Sequence, residues 1–339
     1  MPLRNFIKPA YSRGEELPIP LVPYVRGWKF TVQSHIPPPP TPVISNNRLY
    51  TPQDATEYDQ LGGVEWLLKN APLPGKKGVH SITLEIVENI RNGDRLRAQV
   101  FAVIVRDATT DTPSEILEPD RIFVAKVYDP LYHADDVDVA GFISPIKLTD
   151  HDYTHECAVY EKLSEYQGKR IPRFYGSFSL DIPFFDKIRT VRLILIEYIP
   201  GTSMDQANAA DFSQHTRQQM IKSIINFESD VFGFKDIKLL DLHRRNILIM
   251  KDTQHNLVFI DFADCLFNRR PDEPRFARLN TFLGQYISPL LRCTGKSWKA
   301  FKSDKKEDNW IDWDMDAWVN NQWAHTKDTI TPEMVARFG

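Results

Sequence analysis

The chain has 339 residues, 42% hydrophobic and 26% charged, with a formal net charge of −3. That is room for one large or two modest domains with a buried core, and so small a charge gives no reason to expect nucleic acid or an acidic membrane surface as the main partner. Three cysteines, Cys157, Cys265 and Cys293, are too few and too scattered for a disulfide framework or a zinc site. The first seven residues lack the apolar core of a secretory signal, and the longest apolar runs, 100–105 and 193–196, fall far short of the roughly 20 residues of a membrane helix. The expectation is a cytoplasmic protein, with the nucleus also open.

Residues 1–80 differ from the rest. They hold the run Pro37-Pro38-Pro39-Pro40 and prolines at 9, 18, 20, 23, 42, 52, 72 and 74. Proline fixes φ and removes a donor, so the segment reads as a proline-rich arm, not a continuous helix or a central strand. One short helix fits residues 52–70, with Thr51 as N-cap and Pro52 as first residue. From Ser81 the pattern becomes strand-like: 82–87 and 97–105 form a hairpin around Gly93-Asp94, and 121–128 is a third strand. A helix follows at 151–166, then strands at 177–184 and 191–198. Pro200-Gly201 breaks the chain. Residues 211–232 make the best helix, with Met220, Ile221, Ile224, Ile225 and Val231 on one stripe and Asp211 or Ser213 as cap. Two short strands, 247–250 and 257–260, flank the turn 251–256. The tail from Phe267 reads as helical pieces carrying a solvated lysine cluster at 296–306, then four tryptophans (310, 313, 318, 323) that pack the edge of the smaller lobe.

The chemistry concentrates at Asp241-Leu242-His243-Arg244-Arg245-Asn246 and at Asp261-Phe262-Ala263. An aspartate on a rigid turn can orient an acceptor hydroxyl and take its proton. An asparagine on the same turn offers a neutral oxygen to a metal ion. A carboxylate at the end of a buried strand, as at Asp261, can chelate magnesium. The plainer reading of the same block is two hairpin turns with capping aspartates. Upstream, Lys126 sits inside the apolar strand Val124-Ala125-Lys126, where a lysine needs a partner; otherwise it is a surface lysine on an edge strand. Glu156 on the predicted helix is the favoured partner, with Glu161 as rival. His243, Arg244 and Arg245 are either γ-phosphate contacts or solvated loop residues.

Taken in order, these residues resemble the protein-kinase-like superfamily over roughly 81–290. The likeness is closer to the compact atypical kinases (aminoglycoside-phosphotransferase-like, lipopolysaccharide-kinase-like and fungal kinase-like) than to typical serine/threonine kinases. The resemblance implies an α+β, two-lobed fold: an arm at 1–80, a mainly β lobe at 81–200 and a mainly α lobe at 201–339, with ATP and Mg²⁺ bound between the lobes. It implies that Lys126 holds the phosphates and Glu156 holds Lys126. Ile196 would be the gatekeeper of a hinge at 195–199 where the backbone of Glu197 and Ile199 meets adenine, and Val100, Ala125 and Leu248 would line the adenine slot. Asp241 would be the catalytic base, and Asn246 and Asp261 the metal ligands. The implied activity is phosphorylation of a hydroxyl on a small molecule or a protein.

Four departures stand against the typical pattern. Only Gly93 remains of the glycine-rich phosphate cover. Leu239-Leu240 replaces His-Arg before Asp241. Ala263 replaces a glycine, with less freedom for positive φ. No Ala-Pro-Glu element follows. The glycine-poor loop and Ala263 favour the alternative, a kinase-shaped binding or regulatory module without catalysis.

Overall fold

The computed structural model describes residues 19–41, 52–116, 118, 120–133, 144–184, 186–235, 237–251, 256–266, 282, 284–294 and 310–338. The lysine cluster at 296–306 and Thr51 lie outside these. The chain divides into two compact units: residues up to 158 with 173–198, and 159–172 with residues from 199 onward. The fold is α+β, with one large antiparallel sheet and several helices.

The first unit is built on six antiparallel strands: β1 (Lys29–Ile36), β2 (Lys76–Arg91), β3 (Gln99–Ala108), β4 (Phe123–Tyr128), β5 (Phe174–Phe184) and β6 (Lys187–Glu197). They close into a barrel in the order β1-β2-β3-β4-β6-β5. Side chains alternate across the sheet, so Phe30, Leu84, Phe101, Phe123, Ala125 and Leu195 fill the interior. The segment read as an arm therefore supplies a barrel strand, paired on both sides. Its prolines flank residues 24–36 without interrupting them, and that leaves β1 every donor it needs. The helix expected at 52–70 is two, α1 (Pro52–Leu61) and α2 (Gly63–Lys69), broken where Gly62 takes φ 79°.

Helix α3 (Pro145–Lys162) starts six residues earlier than the sequence pattern suggests. Ser144 caps it, its Oγ accepting from Lys147 N–H at 3.3 Å, and Pro145 takes the first position. The broken apolar stripe misled because Asp150, Asp152, Thr154, His155 and Glu156 are all buried alongside Tyr153, Val159 and Tyr160. A helix buried on several sides has no clean amphipathic period.

The second unit holds β7 (Gly201–Ser203), α4 (Gln214–Phe234), β8 (Lys238–Leu239), β9 (Ile247–Met250), β10 (Leu257–Phe259), β11 (Cys265–Leu266), α5 (Pro289–Arg292), α6 (Met315–Gln322) and α7 (Pro332–Phe338). Ser213 is the α4 cap, accepting from Thr216 N–H at 3.1 Å. The tail tryptophans join this unit and not the barrel. Trp310 stacks on Phe212 at 5.6 Å, and Trp323 Nε1 donates to Asn226 on α4 at 3.1 Å. The three cysteines are buried. No helix among the described residues is long and apolar enough to cross a membrane.

One buried polar network ties the N-terminal segment to the barrel. Asp129, 1% exposed, accepts from Tyr24 Oη and from Arg189 Nη1, both at 2.5 Å. Replacing Arg189 by Met leaves that carboxylate short of its cation, and breaking a buried pair from one side costs about 3–5 kcal/mol. Urea denaturation of Arg189→Met should show a loss of that size.

Burial lowers the pKa of His35 to about 4 and of His151 to about 3, Arg192 adding to the first and His155 and Arg97 to the second. Both imidazoles are neutral in the fold, so the unfolded chain binds protons first as the pH drops below its own value of 6.5. Their stabilisation is complete above pH 6.5 and is lost as the pH falls towards 4. Asp150, raised by burial to about 6, acts in the opposite sense over the same range. The double variant His35→Asn, His151→Asn should therefore lose less thermal stability than the parent between pH 6.5 and 4.

Candidate active site

The chemistry-bearing residues of the first unit lie on one outward face of the barrel. Opposed residues of antiparallel strands share a face. Val100 pairs with Lys126 and Lys126 with Ile194; one step along, Ala102 pairs with Val124 and Val124 with Ile196. Lys126 is 8% exposed, and its Nζ lies 2.5 Å from Glu156 Oε2 on α3. Tyr128 Oη donates to the same oxygen at 2.5 Å, and the ammonium sits 5.6 Å from the Tyr128 ring centre. Glu156 is fully buried, whereas Glu161 is exposed. Lys126 is thus in a barrel strand paired on both sides and held to a buried carboxylate. Tyr128 escaped the sequence reading, although its place two residues along the strand from Lys126 puts it on the same face.

Ala125 is a correction. It faces the barrel interior with Phe101 and Leu195, so it cannot line a slot on the Lys126 side. Val124, half-buried, has that place. Val100 and Ile196 remain on the Lys126 face. At the end of β6, Glu197 N–H donates to Arg173 carbonyl at 2.9 Å, so a purine contact from Glu197 has to use its carbonyl. Ile199 carbonyl accepts from Gly201 N–H at 2.8 Å. The loop between β2 and β3 is clasped on itself, Gln99 accepting from Gly93 N–H at 2.9 Å and donating to Gly93 carbonyl at 2.7 Å.

In the second unit two turns are stitched together on both flanks. On one side β9 pairs with β10, and Ile260 N–H donates to Asn246 carbonyl at 2.9 Å. On the other, β8 pairs with β11, and Leu240 N–H donates to Asp264 carbonyl at 3.0 Å. The strand pair β8–β11, two residues each, was too short to read from periodicity. Asp241, Asn246 and Asp261 consequently line one pocket, with Asp264 as a further carboxylate residue that the sequence reading did not single out. Leu248, on β9 and half-buried, is not among the residues lining that pocket. Asp261 takes φ 65°, a left-handed conformation that aspartate tolerates better than most residues. Ala263 is not among the described residues with positive φ, so the turn does not need a glycine there. Phe262 is buried, its ring edge-on to Tyr160 at 5.4 Å.

The side chains of the Asp241 turn hold one another. Asn246 Nδ2 donates to Asp241 Oδ2 at 2.9 Å and to Asp241 carbonyl at 3.0 Å. With both amide hydrogens used, the carboxamide oxygen is the end left to face a cation. Arg245 Nη2 lies 2.6 and 2.7 Å from the two Asp241 oxygens. His243 caps the turn, its Nδ1 accepting from Arg245 N–H at 3.3 Å. Arg244 is buried, with Nη2 3.6 Å from Asp205 Oδ1. The oxygen donors of Asn246 and Asp261 suit a hard cation such as Mg²⁺, and the Asp241 carboxylate can accept a proton.

No curated protein matches the chain. Residues 139–279 match the family model of the ABC1 atypical kinase-like domain. The matched stretch takes in Glu156, Ile196, Glu197, Ile199, Asp241, Asn246, Leu248 and Asp261, while Val100, Ala125 and Lys126 precede it. That match supports the protein-kinase-like superfamily, among its atypical kinases.

Proposed function

We propose that the protein is an ATP-dependent phosphotransferase that phosphorylates a hydroxyl on a small molecule or a protein. The observation that carries this reading is the pocket in which Asp241, Asn246 and Asp261 converge on two stitched turns. Lys126, held by Glu156, would hold the phosphates. Val100, Val124 and Ile196 would meet the base, with the Glu197 carbonyl and the Ile199 N–H at its edge. Asn246 and Asp261 would hold Mg²⁺, which when bound neutralises charge on the phosphates. Asp241 would orient the acceptor hydroxyl and take its proton. The first unit would serve as the β-rich lobe of a two-lobed kinase-like fold, the second as its α-rich lobe.

A second reading is a kinase-shaped binding module. It is favoured by Arg245, which already engages both oxygens of Asp241, and by the Gly93–Gln99 clasp. In the catalytic reading Arg245 gives up one oxygen when the acceptor arrives.

Asp241→Asn should lower turnover about 100- to 10,000-fold, the usual worth of a positioned base, while MgATP affinity stays within about twofold. Retained turnover would remove Asp241 as the base. A ligand that binds only the folded state raises its melting temperature. The parent should therefore be stabilised more by ATP with Mg²⁺ than by ATP with a chelator. Asp261→Asn should abolish that increment and keep the metal-free shift. If no nucleotide shifts the parent's melting, the phosphotransfer reading fails.

A further inference from the structure

Helix α3 carries a second buried carboxylate one turn before Glu156. Residues four apart on a helix share a face, and Asp152, 1% exposed, points to the barrel as Glu156 does. Its partner is Arg97, in the loop that joins β2 to β3. Arg97 Nε donates to Asp152 Oδ2 at 2.9 Å and its Nη2 to Oδ1, a two-pronged pair. The arginine side chain is 45% exposed, so it is the carboxylate that is sunk. Burial pushes the Asp152 carboxyl up; Arg97 is the largest opposing influence, and His133 and Lys126 act in the same sense as Arg97. Lys126–Glu156 and Arg97–Asp152 thus belong to one charge cluster.

The two pairs differ in what they fix. A lysine is a point charge on a flexible stem and tolerates rotation of its partner helix; an arginine fork on a carboxylate is directional. The loop bearing Arg97 is itself anchored, Leu96 N–H donating to Tyr132 carbonyl at 3.0 Å. Elsewhere on α3, Thr41 contacts Thr154, His151 and His155 at 3.3, 3.1 and 2.7 Å, and Leu73 N–H reaches both oxygens of Asp150 at 3.1 Å. These bonds hold the helix from other positions along it, whereas Asp152 lies one turn before Glu156 on the same face.

We propose that Arg97 is a positioning residue: by clasping Asp152 it sets the rotation of α3 that brings Glu156 onto Lys126. The consequence for nucleotide binding rests on the phosphotransfer reading; the consequence for the helix does not.

The test uses the full chain with Arg97→Met, Asp152→Asn and Arg97→Lys, the last keeping the charge but not the fork. Two quantities are read: hydrogen exchange of the amides of 145–162, and the dissociation constant for MgATP. Arg97→Met and Asp152→Asn should each speed exchange in that helix at least tenfold and weaken MgATP at least tenfold, with Arg97→Lys between them and the parent. Equal effects from the two sides of the pair are the mark of positioning. If only Arg97→Met weakens MgATP and Asp152→Asn is silent, Arg97 touches the nucleotide directly and the proposal is overturned. Parental exchange in α3 in both variants overturns it too. Should Arg97→Met not fold, Asp152→Asn and Arg97→Lys decide the matter by the same two readings. A parent that binds no MgATP sinks the phosphotransfer reading, and the exchange rates alone then judge Arg97.

Discussion

Burying a lysine and a glutamate together costs several kcal/mol of desolvation per ion before their attraction returns anything. Lys126 and Glu156 bear that cost at 8% and 0% exposure, and much of the first unit follows from it. The strand must present Lys126 on the face opposite the barrel core. A helix must lie over that face, and it must bury polar residues along much of its length. Something must also supply the hydrogen bonds those polar residues need, and the segments around Thr41 and Leu73 do so. A pair of apolar side chains would hold the same helix at lower cost, so stability alone does not account for the charges.

The second unit meets a different requirement with the opposite means. Asp241, Asn246 and Asp261 lie on turns, which are the parts of a fold that ordinarily move. Here the turns are short, and each is bounded by a ladder that also bounds the other. Rigidity comes from backbone hydrogen bonds, and within that frame Asn246 and Arg245 hold the Asp241 carboxylate.

The sequence was most legible where a single period governed. Helix α4 and strands β9 and β10 emerged near their observed limits, the helix from its apolar stripe and the strands from two short apolar runs on either side of a polar turn. Asp241, Asn246 and Asp261 line one pocket and Lys126 meets Glu156, groupings that their order along the chain had suggested. It failed where burial was two-sided or the element very short. Asp150, Asp152 and Thr154 interrupt the apolar stripe of α3 in sequence and are interior in fact. The strand at 29–36 hid between prolines. Ala125 was placed in the adenine slot by the resemblance, although the period of a strand turns it away from its neighbour Lys126. Arg245 on Asp241 and Arg97 on Asp152 depend on loop geometry that no local pattern encodes.

The closure of the barrel bears on how the chain is made. Strand β1 meets β5 through only three residue pairs, Gln33 with Ser179, Ser34 with Phe178 and His35 with Ser177. During synthesis β1 leaves the ribosome long before β5 exists, and the contact that closes the cylinder joins distant parts of the chain. Until then β1 can pair with β2 on one side and presents its other edge to the surroundings. A nascent chain stalled short of residue 177 therefore carries an open sheet, an edge of the kind that invites association with other chains. Completing β5 removes that edge.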